Sequence, residues 1–198
     1  MHSAINVMEY VAKLNSVPKA GTSIGKLIGS QRGLFVGSQA DFEAIAKDNP
    51  ELKDWAVVHA CKVPHHKEFL GYTTSGAPKE HPDYLFALRG NRLACNLVDV
   101  DDPDFIRPEI IDAALEFIDQ YVRGSDIRNV LIHCNQGGSR APTIAMLYLG
   151  RRGELPPEDF EFAEAEFKRQ FYPAYNPARG MREFAKANWQ RYTQKEAA

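Results

Sequence analysis

Apolar runs alternate with amphipathic stretches along most of this chain. Two runs, Trp55–Ala60 and Asn129–His133, are mostly continuous and predict strands that are buried on both faces of a sheet. A shorter run, Leu34–Val36, stands between two glycines and predicts a third strand. Further along, Tyr84–Leu88 and Arg92–Leu97 flank a Gly-Asn dipeptide, which predicts a hairpin.

Helical spacing of apolar residues marks the stretches between and after these strands. The clearest case is Glu109–Arg123, which follows a proline and ends before a glycine. The stretches that predict helices are 39–47 (with Ser38 or Asp41 as the cap), 109–123, 141–149, 157–171 and 178–192. By contrast, prolines and glycines in residues 61–82 predict a loop. Strands that alternate with helices predict an α/β fold in which the sheet packs between helices.

The hydrophobic pattern begins near residue 30, which suggests how the chain is divided. Residues 1–29 are polar and are broken by Pro18 and several glycines, so we expect an N-terminal extension with one short amphipathic helix at Asn6–Leu14. Residues 30–198 are expected to form a single domain, and no internal repeat divides it.

Composition argues against several classes of protein. The chain has 198 residues, is 44% hydrophobic and 25% charged, and carries a net charge of −2. A surface for nucleic acid or for an anionic membrane is therefore not expected. The first residues lack the pattern of a secretory signal, and the apolar run at Thr143–Leu149 is too short to span a bilayer. Three cysteines without a CxxC pair favour a reducing compartment, and we expect a cytoplasmic location.

The most informative stretch is HCNQGGSR, residues 133–140, which joins a buried strand to the next predicted helix. This position places Cys134 before a helix N-terminus, where backbone amides attract anions and favour a thiolate over a thiol. A buried cysteine after a strand is often just a small apolar residue, but the frame of strand, loop and helix favours a nucleophile here.

The rest of this stretch suits a phosphoryl group. Gly137 and Gly138 allow the loop to curl and its backbone to approach a ligand. Arg140 can bind two phosphoryl oxygens at once, which a lysine cannot do. One short loop would then supply a nucleophile, N–H donors and a bidentate cation, which are the requirements of phosphoryl transfer to sulfur.

HCNQGGSR resembles the His-Cys-x-x-Gly-x-Ser-Arg loop of the protein tyrosine phosphatases, especially their compact dual-specificity branch. Other stretches also resemble that family, namely GLFVGS, LEFIDQY with NVLIHC, APTIAMLYL and YNPARGMREF, so the likeness covers about residues 33–192. It implies a central, mostly parallel sheet flanked by helices. It also implies a monomer that hydrolyses phosphotyrosine, with phosphoserine and phosphothreonine as further substrates, in phosphorylated proteins or peptides. The reaction would pass through a cysteinyl-phosphate without a metal or organic cofactor.

The resemblance also assigns roles to residues. Cys134 is the nucleophile and His133 supports the loop through hydrogen bonds. The phosphate-binding residues are Asn135, Gln136, Gly137, Gly138, Ser139 and Arg140.

The general acid of the family is an aspartate on a loop before the nucleophile strand, which corresponds here to VDVDDPDF. The candidates are Asp99, Asp101, Asp102 and Asp104. Spacing to Cys134 places Asp102 first, whereas spacing to Phe105 keeps Asp101 open. Asp104 is suited to capping the next helix.

One position departs from the family. Ala141 follows Arg140, where a serine or threonine usually stabilises sulfur as the leaving group, so we expect slow hydrolysis of the thiol-phosphate.

Other functions stay open. Relatives with this loop act on phosphoinositides or RNA 5′ ends, although neutral Asn135 and Gln136 disfavour a highly charged lipid. A non-catalytic phosphate-binding module and a sulfur-transfer protein are further alternatives. The histidines within residues 59–66 have an irregular spacing that disfavours a metal site, and we expect a loop rimming the active site there.

Overall fold

The computed structural model describes residues 26–28, 33–124, 126–127 and 129–194. The strands of its central sheet are β1 (Lys26–Ile28), β2 (Gly33–Gly37), β3 (Trp55–His59), β4 (Phe86–Arg89), β5 (Arg92–Cys95) and β6 (Asn129–His133). They lie in the order β1-β2-β6-β3-β5-β4. The four inner strands are parallel and each edge strand is antiparallel to its neighbour, which confirms the prediction of a mostly parallel sheet.

Six helices lie in the described part of the chain. They are α1 (Gln39–Asp48), α2 (Lys67–Leu70), α3 (Pro108–Gly124), α4 (Arg140–Arg151), α5 (Phe160–Glu166) and α6 (Arg179–Thr193). Ser38 is the cap of α1, because its Oγ accepts from the Asp41 N–H while the Asp41 carboxylate accepts from the Ser38 N–H. None of these helices is long and apolar enough to cross a membrane.

Alternate side chains of β6 enter two different cores. Val130 and Ile132 belong to the larger core, which contains residues of α3, α4, α5 and α6. Leu131 belongs to the smaller core, which contains Phe42 and Ile45 of α1. Because both faces of the strand are covered, its continuous apolar run has the structural cause that the sequence predicts.

Residues 61–82 differ in part from the predicted loop. Lys62–His66 forms a kinked turn, with an extended backbone at Val63, that leads into α2, whereas residues 71–82 contain neither helix nor strand. The helical stretch is too short for an apolar repeat, and its buried side chains are those of His65 and His66, so no hydrophobic pattern marks it.

The region before β2 is described only at β1, whose three residues lie inside the predicted extension and pair antiparallel with β2. The helix predicted at Asn6–Leu14 lies outside the described residues.

Candidate active site

The carboxyl ends of β2, β6 and β3 meet at one edge of the sheet, where Gly37, His133 and His59 are in register. The chain leaves β6 after His133, and we call residues 134–140 the Cys134 loop. Cys134 itself is only 1% exposed. Open α/β sheets bind ligands beyond the carboxyl ends of their parallel strands, so this edge is the expected place for a site.

Two carbonyls of the Cys134 loop accept hydrogen bonds from other segments, whereas most N–H groups of the loop are left for a ligand. The Asn135 carbonyl accepts from the Gln39 N–H at 3.2 Å, and the Gly138 carbonyl accepts from the Asn176 N–H at 2.8 Å. Within the described residues, no protein acceptor receives the N–H groups of residues 135–139. A row of such amides before a helix is an anion-binding concavity.

Gly137 permits the curl of this loop. Its φ is +76°, and an added Cβ would lie 3.0 Å from the carbonyl carbon and oxygen of Gly37. Both the backbone conformation and the close approach to β2 therefore require glycine at this position. At Gly138 the nearest atoms to an added Cβ are 3.9 Å away, so that glycine is not required for space.

The guanidinium of Arg140 is held across the loop by three groups. Nη1 donates to the Leu97 carbonyl at 3.2 Å, and Nη2 donates to Asn135 Oδ1 at 2.6 Å. Nε lies 3.7 Å from Asp99 Oδ2, and the side chain is 9% exposed. Asn135 in turn donates to the Val63 carbonyl at 3.0 Å. The cation is thus fixed in place by the protein itself.

Asp99, one of the four acid candidates, binds the Cys134 loop directly. Ser139 Oγ donates to Asp99 Oδ1 at 2.7 Å and accepts from the Ala178 N–H at 2.9 Å. This serine therefore joins the acidic loop, the Cys134 loop and the start of α6. Because the Asp99 carboxylate already accepts this hydrogen bond beside Arg140, it is suited to positioning rather than to proton donation.

The two aspartates ranked highest as acids lie on the surface. Asp102 Oδ1 accepts from the Asp104 N–H at 3.0 Å, so Asp102 caps the short turn Pro103–Phe105, which precedes the helix that Asp104 is predicted to cap. Asp101 and Asp102 are both exposed. In the described ranges, neither carboxylate makes a hydrogen bond or ion pair with the Cys134 loop.

Three buried histidines lie beneath the loop. Ring nitrogens of His59, His65 and His133 come within 4.8 Å of one another, a group that could hold a metal ion. The spacing within residues 59–66 could not show this group, because its third member comes from β6. Burial lowers the pKa of His65 to about 4, that of His133 to about 3 and that of His59 further, so the three rings are neutral at neutral pH.

The other two cysteines are poor nucleophiles. Burial raises the pKa of Cys61 to about 12 and also raises that of Cys95, so both remain thiols.

Comparison with known proteins places this arrangement in context. No protein-family model matches the chain. It is 39% identical over 62 residues to a probable dual specificity protein phosphatase of Dictyostelium discoideum. The aligned part is 31% of this chain and 27% of that protein, so the chain matches about a quarter of its relative's length.

Solved structures match over most of the chain. The Yvh1 phosphatase domain from Chaetomium thermophilum has a TM-score of 0.56 and 19% identity, with 83% of this chain and 95% of that chain covered. DUSP15 has a TM-score of 0.55 and 18% identity, with 87% and 92% covered. The PTP-2 phosphatase of Cydia pomonella has a TM-score of 0.54 and 21% identity, with 83% of this chain and 89% of that chain covered. The chain has the fold of the dual-specificity phosphatases. The fold class and the resemblance predicted from the sequence are confirmed.

Two parts of this dual-specificity phosphatase fold were missed at the level of sequence. One is the hold on Arg140 by Asn135 and by the Leu97 carbonyl, which follows only from the folded loops. The other is the group of buried histidines. Its one visible signal is a histidine near the end of each of two apolar strands, His59 and His133, where a polar side chain must find a partner.

Proposed function

We propose that this chain hydrolyses phosphomonoesters in phosphorylated proteins or peptides, with phosphotyrosine as the first class of substrate and phosphoserine and phosphothreonine as the second. One observation carries the proposal. Cys134 opens a loop whose amides have no protein acceptor in the described residues, and the Arg140 guanidinium is held across that loop. The phosphatase fold and the local identity to a phosphatase support it.

In the first step the Cys134 thiolate attacks phosphorus, so that an S–P bond forms while the bond to the leaving oxygen breaks. N–H groups of residues 135–139 and the Arg140 guanidinium stabilise the charge on the other phosphoryl oxygens. Asp102 donates its proton to the leaving oxygen, with Asp101 as the alternative donor.

In the second step water attacks the phosphorus of the cysteinyl-phosphate. The S–P bond breaks, the same aspartate accepts a proton from the water, and the Cys134 thiolate and phosphate are released. Neither step requires a metal or organic cofactor. His133 supports the loop from below and takes no proton.

The rim of the loop favours a protein substrate over a multiply charged lipid headgroup. Asn135 and Gln136 are exposed and uncharged. Val63, whose carbonyl accepts from Asn135, is 53% exposed and offers an apolar contact beside the opening. A peptide around a phosphorylated residue presents the mixture of apolar and polar groups that suits such a surface.

Metal-free hydrolysis by wild type and by Cys134→Ser tests this function. In the presence of a chelator, the substitution should lower the rate on an aryl phosphate and on phosphotyrosine peptides by about 1,000-fold or more, because the nucleophile is lost. Cys95→Ala is the matched control, since it changes a buried thiol outside the loop and should keep the activity.

Each other result removes part of the proposal. Full activity in Cys134→Ser would exclude the cysteinyl-phosphate. Hydrolysis of a phosphoinositide or of an RNA 5′ phosphate, but not of phosphopeptides, would exclude the protein substrate. Tight binding of phosphate by a wild type that hydrolyses none of these substrates would establish a non-catalytic module.

A further inference from the structure

A chain of hydrogen bonds runs beneath the sheet edge from β5 to the residue before the nucleophile. Arg92 Nε donates to His59 Nε2 at 2.9 Å. His59 Nδ1 lies 2.5 Å from His133 Nε2. His59 and His133 are fully buried, so water does not compete for these hydrogen bonds.

The direction of this chain is set at Arg92. A guanidinium N–H can donate but cannot accept, so His59 Nε2 must carry the lone pair. A neutral imidazole has one ring hydrogen, which places the hydrogen of His59 on Nδ1 and directs it to His133 Nε2. His133 must then carry its own hydrogen on Nδ1.

Burial keeps both rings neutral, which this assignment needs. It lowers the pKa of His133 to about 3, and it lowers that of His59 even more. The backbone of Cys134 acts in the opposite sense and raises the pKa of His133 by a smaller amount. His133 Nδ1 itself is buried and has no hydrogen-bond partner among the described residues.

Aromatic rings hold the members of the chain in place. The Arg92 guanidinium lies over Phe42, at 5.5 Å from its centroid, and over Phe69, at 5.1 Å. Phe42 also stacks on His133, with centroids 4.8 Å apart and planes 6° from parallel. One ring therefore restrains both the first donor and the last acceptor.

We propose that Arg92 and His59 are positioning residues, which fix the Nδ1–H tautomer and the ring orientation of His133 and, because a peptide bond joins His133 to Cys134, the position of Cys134. The kinetic consequence rests on the proposed phosphatase function, whereas the tautomers do not.

The same contacts disfavour a metal ion among the three histidines. Metal binding by His59 Nδ1 needs a lone pair on that atom, which would move the ring hydrogen to Nε2 and set it against the Arg92 donor. His65 uses its Nε2 as well, because Gln39 Oε1 is 2.9 Å away and can only accept. A metal site would require Arg92 to leave His59, and it is therefore the opposing outcome of the test.

Nitrogen NMR of the full chain labelled with ¹⁵N-histidine tests the tautomers directly, because a ring nitrogen with a lone pair and one with a hydrogen have different shifts. We expect both His59 and His133 to carry hydrogen on Nδ1 and a lone pair on Nε2. Hydrogen on Nε2 of either ring in the wild type would overturn the inference. About one equivalent of zinc in the purified protein would also overturn it, if a chelator that removes the zinc changes the ring-nitrogen shifts of these histidines.

Variants test the positioning role. Arg92→Met should leave His133 in mixed tautomers and lower kcat on an aryl phosphate by roughly tenfold or more with KM changed less than about twofold, because small displacements of reacting groups are costly. Arg89→Met is the matched control. Arg89 lies on β4, approaches the same Phe69 ring at 6.0 Å and pairs with partly buried Asp83, and its hydrogen bonds go to Leu88 and Asp83 rather than to His59. It should change neither readout.

A second pair separates the hydrogen bond from the fold. His59→Asn retains an N–H donor near the position of Nδ1, whereas His59→Leu has a similar size and no donor. We expect the Asn variant to keep the His133 tautomer and most of kcat, and the Leu variant to lose both. A kcat that stays unchanged while the His133 tautomer is lost would overturn the positioning role. If the wild type is inactive on every phosphoester, the proposed function fails. The NMR measurement of the His59 and His133 tautomers then still tests the structural part of this inference, because it does not depend on activity.

Discussion

Two loops meet at the same edge of the sheet and are built in opposite ways. The Cys134 loop is held from β2, α1 and the start of α6, and its nucleophile and its arginine are buried. The acidic loop, residues 99–104, is tied at its first residues, where Asp99 binds Ser139 and the Val100 carbonyl accepts from the Gly180 N–H at 3.1 Å. Beyond that point its carboxylates are exposed.

This difference follows from what each loop has to do. A phosphate site is effective when its donors are already oriented, because no reorganisation is then needed as charge develops. A general acid that gives its proton to the leaving oxygen and then takes one from the attacking water must be open to both, so exposure suits it, and its contact with the leaving oxygen forms only with substrate bound. Under the proposed function, the phosphate-binding half of the site is therefore organised in the free protein, and the proton-donating half is not.

The first prediction from this comparison concerns the acidic loop. Asp102→Asn should lower kcat on a phosphotyrosine peptide on the order of 100-fold, since the leaving oxygen then departs without a proton. An aryl phosphate with a good leaving group should lose less, because that group needs no proton.

Asp101→Asn is the matched control in this loop, as it removes one carboxylate and keeps the other. It should retain most of the activity, because the Asp102 carboxyl group stays in place. A large loss in Asp101→Asn with little change in Asp102→Asn would transfer the role to Asp101 and leave Asp102 as the cap alone.

The second prediction concerns the buried support of the Cys134 loop. Burial lowers the pKa of His65 from 6.5 to about 4, with Arg92 adding to the effect. Below its ordinary pKa the unfolded chain therefore binds a proton that the folded chain does not, and stability falls as the pH falls. The loss in the free energy of unfolding is about 2 kcal/mol for this histidine between about pH 7 and pH 5.

Urea unfolding at the two pH values, on wild type and His65→Gln, measures this loss. The Gln variant retains a donor toward Gln39 and does not titrate, so its stability should depend less on pH by about that amount. The Glu68 carboxylate lies 3.9 Å from His65 Nδ1 and is mostly exposed, which limits its opposing effect. Equal pH dependence in both proteins would show that the pKa of His65 is the same in the folded and the unfolded chain.

Local chemistry explains which features could be predicted from the sequence. The strands Trp55–His59 and Asn129–His133 follow from apolar runs that both faces of a sheet require. The Cys134 loop follows from a glycine, a cysteine and an arginine at fixed short spacing, whose geometry is determined by the loop itself. The cap at Ser38 and the helix α3 depend on neighbours within one or two turns.

What could not be predicted depends on contacts between distant segments. Arg92 and His59 are 33 positions apart, and His59 and His133 are 74 positions apart. Asp99 is an acid candidate in the sequence because only its charge is visible there, whereas its hydrogen bond from Ser139 depends on how two loops meet. The turn before α2 gives no sequence signal because its buried residues are histidines, which carry no hydrophobic pattern.

The third prediction tests how rigid the Cys134 loop is. Gly137→Ala should lower the free energy of unfolding by about 1–2 kcal/mol, because its φ is positive and the new Cβ would meet Gly37. It should also weaken binding of vanadate. Gly138→Ala has open space around it, so its stability should change by less than about 0.5 kcal/mol. Equal stability of the two variants would mean that the backbone of the Cys134 loop can shift to accept the new Cβ at little cost in free energy.

The smallest expected effect is at Ala141, the position that departs from the related family. If no hydroxyl stabilises the departing sulfur, hydrolysis of the cysteinyl-phosphate is the slow step, and rapid-quench kinetics on wild type should show a burst of the first product. Ala141→Ser should then raise steady-state turnover by about fivefold, the value of about 1 kcal/mol from one hydrogen bond. Ala145→Ser, an equally buried alanine one turn later on α4, places a hydroxyl away from the sulfur and should not raise turnover. A wild type without a burst would show that the first step is already limiting. The rate-limiting step would then depend on proton donation from the exposed acidic loop rather than on release of the Cys134 sulfur from phosphate.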